Sequence, residues 1–399
     1  MTKNNKIIKS AGGIVIRREN NSWKIALLYK NQGWFFPKGQ TKGNETEKQT
    51  AIREIKEELG ILPKELKIIT KLGYMNYIAS QKEDGYTLKP KTVALFLAET
   101  KNKELKFLKE DGFQEANWFD LKQALRIVPF PEMKDMILKT IFFLERKNKK
   151  QTIKTIVVGV GGKGERMKLK NFPKLLLPIQ GRPYLGYLLD TLLSCPANFN
   201  QIYLFTHHYA KEIEQFIKSN YSQISKIKTV FTGANSFAQQ LYSAKNLLDE
   251  DFIYMDGNVI CEHQLFQGLS QKHLASEALI SLAVSSQNLA PTHFQIQLDS
   301  RGKIIDLFSG LLSHANKEKK DRDLWCTMGI HAVSHYIFDL LPDLIYFYDL
   351  DLIVDVLVKS ATDFPIAPYI YKKEWYCLHN KEDYKMMKVK GKNFFSKIK

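Results

Sequence analysis

Cysteine is scarce. The chain has four in 399 residues, Cys195, Cys261, Cys326 and Cys377, and no two of them have the spacing of a metal knuckle or a redox pair. That excludes a disulfide scaffold and leaves free thiols in a reducing compartment as the expectation. No apolar run is long enough to span a bilayer, so no membrane partner is expected. The opening Met1-Thr-Lys-Asn-Asn-Lys-Ile-Ile-Lys lacks the apolar stretch of a secretory signal, and a cytoplasmic protein is expected. Internal repeats and long low-complexity tracts are absent, which argues against solenoid and disordered classes. Acidic residues are in deficit, 42 against 59 Lys and Arg, for a net charge of +17. Such a field attracts phosphate-rich substrates. The scatter of the lysines along the chain also fits a basic solvated surface with no specific partner.

What is present divides the chain in two. Residues 10–31 alternate apolar and polar around Asn20-Asn21-Ser22 and read as a hairpin. A Gly/Pro-rich loop, 33–43, precedes a helix over 47–59. Strands are expected at 66–77 and 92–98, and helices at 119–125 and 131–145. The polar stretch after Glu145 is the candidate linker. Beyond it, a buried-type strand at 153–160 enters a glycine loop. Strand and helix patterns then alternate at 202–206, 210–219, 229–231, 236–248 and 252–255, which predicts a parallel α/β sheet. The boundaries read as 1–147, a linker at 148–152, a second domain at 153–385, and a basic tail at 386–399.

The first constellation is acidic. Glu54, Glu57 and Glu58 stand at i, i+3 and i+4, so one helix face carries all three. Carboxylates that close raise one another's pKa unless a cation sits among them. Oxygen ligands at this density suit magnesium or manganese. A solvated acidic helix face would look the same if taken alone. The surrounding residues decide, because Gly39, Glu45, Arg53, Glu54, Ile55, Glu57, Glu58, Gly60 and Ile61 fill every specified position of G-x5-E-x7-R-E-U-x-E-E-x-G-U, with U aliphatic. At average residue frequencies a chance match is on the order of one in a million or rarer.

This segment resembles the Nudix box. The resemblance covers about residues 8–147 and implies an α/β/α sandwich with a mixed sheet. It implies that Glu54, Glu57 and Glu58 hold the metal, that Arg53 orients the carboxylates, and that Glu45 is a supporting ligand or a loop anchor. The implied reaction is attack of water on a phosphorus of a nucleoside diphosphate derivative, with Mg2+ or Mn2+ as cofactor. Glu115 stands where several members carry a catalytic or metal-binding Glu; a surface Glu is the other reading. Gly33-Trp-Phe-Phe-Pro-Lys-Gly resembles the W-x-x-P-K-G of hydrolases of dinucleoside polyphosphates and diphosphoinositol phosphates, and of RNA pyrophosphohydrolases. There Lys38 is a candidate phosphate contact or a solvated lysine, and Trp34 a candidate core residue.

The second constellation is cationic. Gly161-Gly-Lys-Gly-Glu-Arg-Met follows a strand, and Phe172-Pro-Lys-Leu-Leu-Leu-Pro-Ile-Gln-Gly-Arg-Pro follows it. A glycine loop lets backbone N–H groups approach phosphates. Arg166 and Lys174 supply charge for a leaving pyrophosphate. The segment resembles the sugar-phosphate nucleotidyltransferases of GT-A-like, Rossmann-like fold with a mostly parallel sheet, over roughly residues 153–385. Gly161, Gly162, Gly164, Arg166 and Lys174 then look like the contacts of a nucleoside triphosphate and a sugar phosphate. The resemblance implies a metal-binding Asp after the central strand, which Asp256 or the position of Asn258 would supply. His379 stands where a second metal-binding Asp is expected. Asp351 reads as a helix cap, His207-His208 as loop or substrate rim, and the tail lysines as solvated.

The expectation is a bifunctional enzyme that hydrolyses a nucleoside diphosphate derivative and transfers a nucleotidyl group from a triphosphate to a phosphorylated sugar or alcohol. The alternative is a dinucleoside polyphosphate or RNA 5′-pyrophosphohydrolase carrying an inactive nucleotidyltransferase-like binding domain. Base, sugar and oligomeric state are not legible.

Overall fold

The computed structural model describes residues 7–81, 87–107, 112–146, 153–169, 172–233, 237–276, 278–287, 294–300, 302, 304–309, 324–341 and 366–398. The expected linker at 148–152 and the cap at Asp351 lie outside them. The chain forms two compact units, Met1–Asn148 and Lys149–Lys399. No helix among the described residues is long and apolar enough to cross a membrane.

In the first unit, β1 (Ile8–Glu19) and β2 (Ser22–Lys30) form the expected hairpin. Asn20 and Asn21 both take positive φ between them, as a two-residue turn matching strand twist requires. The loop at 33–43 is more structured than its composition suggests, since it contains β3 (Gly33–Phe35) and β4 (Lys38–Gln40). These short strands pair with β2 and β1. Helix α1 (Glu47–Leu59) starts at a Thr46–Gln49 capping box and ends at Gly60. Next come β5 (Leu66–Gln81), β6 (Thr87–Thr100), β7 (Glu115–Asp120), α2 (Leu121–Ile127) and α3 (Pro131–Arg146). Phe119, expected at a helix start, lies in β7 instead, because the 115–120 stretch pairs with β2 before Asp120 begins α2.

The sheet order is β3-β2-β1-β6-β5, with β4 on β1 and β7 on β2. Only β1 and β6 run parallel among these pairs, so the sheet is mixed. Ala51 and Ile55 of α1 pack with Ala11, Val15, Ala94 and Ala98 on one face. Strand alternation sends Leu95 to the other face, where Met136 of α3 comes up to Gly73, the partner of Leu95. The result is an α/β/α sandwich with α1 held flat on the sheet.

The second unit contains β8 (Thr155–Gly159), β9 (Pro178–Ile179), β10 (Arg182–Pro183), α4 (Tyr184–Leu193), β11 (Gln201–Thr206), α5 (Ala210–Tyr221), β12 (Ile227–Phe231), α6 (Phe237–Ser243), β13 (Phe252–Asp256), β14 (Val259–Cys261) and α7 (Gln264–Ala275). It continues with β15 (Ile280–Ser285), β16 (Phe294–Leu298), β17 (Ile304–Ser309), β18 (Leu324–Val333), β19 (Ile366–Ile370), β20 (Trp375–Cys377), α8 (Lys381–Val389) and α9 (Lys392–Ser396). The main sheet runs β12-β11-β8-β13-β18-β15-β19. Its first four strands are parallel, as the strand–helix alternation predicts. β18 then runs antiparallel to both β13 and β15, so the sheet as a whole is mixed.

One expectation fails at the end of the chain. Residues 386–398 of the expected tail at 386–399 are not a tail. They complete α8 and form α9, and Met387, Phe394 and Phe395 are buried. Phe395 meets Tyr187, and Phe394 meets Tyr376, in edge-on contacts with ring centroids 5.0 and 5.2 Å apart. Burial of two aromatic rings outweighs the pull of the flanking lysines toward water.

Candidate active sites

In the first unit, α1 and the loop before it bring three acidic side chains around one guanidinium. Arg53 donates from Nε and Nη2 to the two oxygens of Glu45 at 2.6 and 2.9 Å, and from Nη1 to Glu57 Oε2 at 2.9 Å. Nη1 also meets Glu54 Oε1, and Nη2 reaches the carbonyl of Gln40. The fork is therefore fully used, which a lysine could not reproduce. Glu45 is further fixed by the Lys42 N–H and the Thr50 hydroxyl. These donors, Arg53 first, hold its carboxyl down at about 2. Its role in this structure is that of a loop anchor.

Glu54 is buried, and burial pushes its carboxyl up against the opposing pull of Arg53. Gly39 makes its position possible, because a Cβ there would collide with the Glu54 carboxylate. Glu58 Oε2 accepts from the backbone N–H of Lys38 at 2.8 Å. The strand β4 thus delivers both the glycine that makes room and the N–H that orients.

Two lysines face these acids. Burial, then the neighbouring Lys91, pushes the Lys38 ammonium down to about 8, while Glu58 and Glu54 pull it back up. Lys91, on β6, is likewise pushed down by burial and held up by Glu54 and Glu58. Sequence reasoning singled out Lys38 and missed Lys91. A lysine in a strand of mixed polarity carries no signal of its own, and only the β1–β6 pairing brings it here. Glu115 lies exposed at the start of β7, opposite Tyr29, and accepts from Asn117. It is not drawn into the Arg53 cluster. Trp34 is half-buried between Tyr29 and Phe119.

The donor set fits a hard divalent cation, since Glu54, Glu57 and Glu58 offer only carboxylate oxygen. Among the described residues no three acidic, imidazole or thiol groups converge as a ready ligand set. Glu54 and Glu57 are instead drawn onto Arg53.

In the second unit, β8 ends at Gly159 and the chain passes through Gly161, Gly162 and Gly164. Gly164 has φ +71° and lies against the stem of Lys174. Arg166 is exposed in the following turn, whereas Lys174 is half-buried. Burial pushes the Lys174 ammonium down, opposed by Cys377 and Asp256. Asp256 ends β13, accepts from the Tyr254 hydroxyl at 2.6 Å, and crowds Gly329. Burial pushes its carboxyl up, while Tyr254 and Lys174 hold it down.

Strand β20, paired with β14, sets Cys377 beside these groups. Asn258 Nδ2 lies 3.5 Å from Cys377 Sγ, and the His379 ring nitrogens lie 3.3 Å from it. Cys377 is the residue that sequence reasoning missed here. Its thiol is pushed up by burial first and by Asp256 next. Asp256 offers one carboxylate here, while the Asn258 and His379 positions bring an amide and an imidazole beside a thiol, a set that fits magnesium poorly. His207 and His208 stand in edge contact, and His208 and Tyr209 line a cavity of about 530 Å³ with Lys163, Glu165, Lys168 and Leu169.

A family profile described as NUDIX domain matches residues 8–139. The asymmetrical bis(5'-nucleosyl)-tetraphosphatase of Mus musculus is 33% identical over 139 residues, which cover 32% of this chain and 88% of that protein. Bifunctional protein GlmU of Methanocaldococcus jannaschii is 25% identical over 188 residues. That match covers 46% of this chain and 41% of the relative, so less than half of the relative's length is matched. Among solved structures, a putative glucose-1-phosphate thymidylyltransferase from Bacillus anthracis aligns at TM-score 0.51 and 16% identity, covering 60% of this chain and 96% of that one. Only the second unit is large enough to hold that match, and at this identity the likeness shows the fold.

Proposed function

Through residues 8–139 this chain belongs to the Nudix family, and from that premise we propose that its first unit hydrolyses a phosphoanhydride bond in a dinucleoside polyphosphate. The observation that carries the proposal is the acidic cluster of Glu54 and Glu57 on Arg53 with Glu58 on the Lys38 N–H, faced by Lys38 and Lys91. Opposite charges meet at one place, as they must where an anionic chain and a cation are to be held together. The likeness to the tetraphosphatase supports two nucleosides joined by a phosphate chain over other leaving groups.

Nudix and nucleotidyltransferase families generally use divalent metals, and in the first unit Glu54, Glu57 and Glu58 would hold the ion. When bound, it polarises a phosphoryl oxygen and lowers the pKa of water. The protein's own groups do the rest. Arg53 keeps Glu54 and Glu57 close together, and the Lys38 N–H fixes Glu58. The ammonium groups of Lys38 and Lys91 bind and orient the phosphate chain. Their depressed pKa values follow from burial, which an arriving phosphate offsets.

The second unit has a nucleotidyltransferase-like fold. We read it as a nucleotidyltransferase that joins a nucleoside triphosphate to a phosphorylated sugar or alcohol, with Lys174 and Arg166 on the phosphates. The test is the full chain assayed on dinucleoside polyphosphates, nucleotide sugars and triphosphorylated RNA, and on triphosphates with sugar 1-phosphates. Hydrolysis of the first class above the others, lost in Glu58→Gln, supports the reading. Hydrolysis that survives in Glu58→Gln overturns it. Salt-sensitive hydrolysis of RNA alone would favour 5′-end processing instead.

A further inference from the structure

We propose that the second unit grips the polyphosphate of its nucleotide through Lys174 and Arg166 in place of a carboxylate-bound magnesium ion, so that binding there does not depend on a divalent metal. The inference rests on reading this unit as a nucleotide site, and it concerns how the same site neutralises charge.

Magnesium is held by hard oxygen, usually one or two carboxylates completed by substrate phosphates and water. Among the described residues, the carboxylates that act most on Lys174 are those of Asp256 and Asp383. Asp383 is already committed. Its Oδ2 accepts from the backbone N–H groups of His379 at 2.8 Å and Asn380 at 3.1 Å, and its own N–H donates to Asn380 Oδ1. This is the capping box of α8. Withdrawing the carboxylate would cost the helix one half of that box.

Asp256 is the other, and it is constrained on both sides. Oδ1 accepts from Tyr254, and Oδ2 packs where a side chain on Gly329 would be. The remaining groups nearby are the Asn258 amide, the Cys377 thiol and the His379 ring. Sulfur and imidazole suit softer ions, and an amide brings no charge.

The cations point the other way. Lys174 and Arg166 bring two positive charges, and the two carboxylates that act on Lys174, Asp256 and Asp383, are each already held by hydrogen bonds. The buried ammonium of Lys174 bears a desolvation cost in the free protein, and an arriving anion offsets it. A triphosphate therefore meets two cationic side chains before any ion is added. The glycine loop beside Lys174 adds close backbone approach.

The experiment is calorimetric titration of the full chain with each of the four ribonucleoside triphosphates, once in magnesium and once in EDTA. Lys38→Ala is the background in which first-unit binding is weakened, and Lys174→Ala identifies the second-unit isotherm. Arg166 is exposed, so Arg166→Ala serves as the variant that keeps its fold. We expect the Lys174-dependent Kd to be the same or tighter in EDTA, and Arg166→Ala to weaken it by about tenfold, as loss of a charge-assisted contact does. Binding that vanishes in EDTA and returns with magnesium overturns the inference while leaving the nucleotide reading intact. Absence of any Lys174-dependent isotherm in both buffers overturns the nucleotide reading and the inference with it.

Discussion

On the reading proposed above, the two units face one electrostatic problem, holding a polyphosphate, and meet it with different sets of charged side chains. In the first, three acids surround one arginine and a fourth, Glu58, sits on the Lys38 N–H, with two lysines opposite. Such a site is short of positive charge until a cation arrives. In the second, a lysine and an arginine stand near two carboxylates already held by hydrogen bonds, with a thiol and an imidazole beside them. The ligand chemistry of a site thus follows from which side chains are free, and not only from which are nearby. Asp383 is close to Lys174 in charge, yet its oxygen is spent on a helix cap.

The comparison breaks most visibly at Glu58. Glu58→Gln should cost roughly 10²–10³-fold in hydrolysis, the scale of removing one charge-stabilising group from a preorganised site. Triphosphate binding by the second unit should be unchanged in the same protein, read by titration. Arg53→Lys comes next. It keeps the charge and loses the fork, and the expected loss is roughly 10–100-fold in hydrolysis or metal affinity, as for other groups that orient ligands.

A pH profile sharpens the contrast further. Lys38 sits at about 8, depressed by burial, so it loses its charge as pH rises through that value. Hydrolytic kcat/KM should therefore fall on the alkaline side above about pH 8, by roughly tenfold per pH unit once Lys38 is neutral. Lys38→Arg should move that limb to higher pH. A limb that stays in place would remove Lys38 from phosphate binding. The smallest effect is expected at Glu115. Glu115→Gln should change turnover by less than about threefold, whereas a general base would cost about 10²-fold or more.

Much of the first site could be read directly. The i, i+3, i+4 spacing places three carboxylates on one face of any helix, and the glycines and aliphatics around them leave few other conformations. What escaped was long-range. Lys91 enters because β6 pairs with β1 across more than eighty residues of sequence. In the second unit the cations of the glycine loop and of the following Pro-Lys turn were legible. Cys377 was not, since its nearness to Asn258 depends on the β14–β20 pairing. The direction of β18 was equally hidden, because alternation of strand and helix says nothing about a later strand inserted antiparallel.

By itself the sequence determined the helix that carries the acids, its capped start and glycine stop, the hairpin before it, and the parallel strands that launch the second unit. Those are local, and periodicity with turn chemistry suffices for them. Only the folded chain decided which charges meet. Arg53 drawing in Glu45, Glu54 and Glu57, the two lysines opposite, the carboxylate of Asp383 committed to a cap, and the last phenylalanines turned inward all depend on contacts between distant segments, where burial and competition for hydrogen bonds set the outcome.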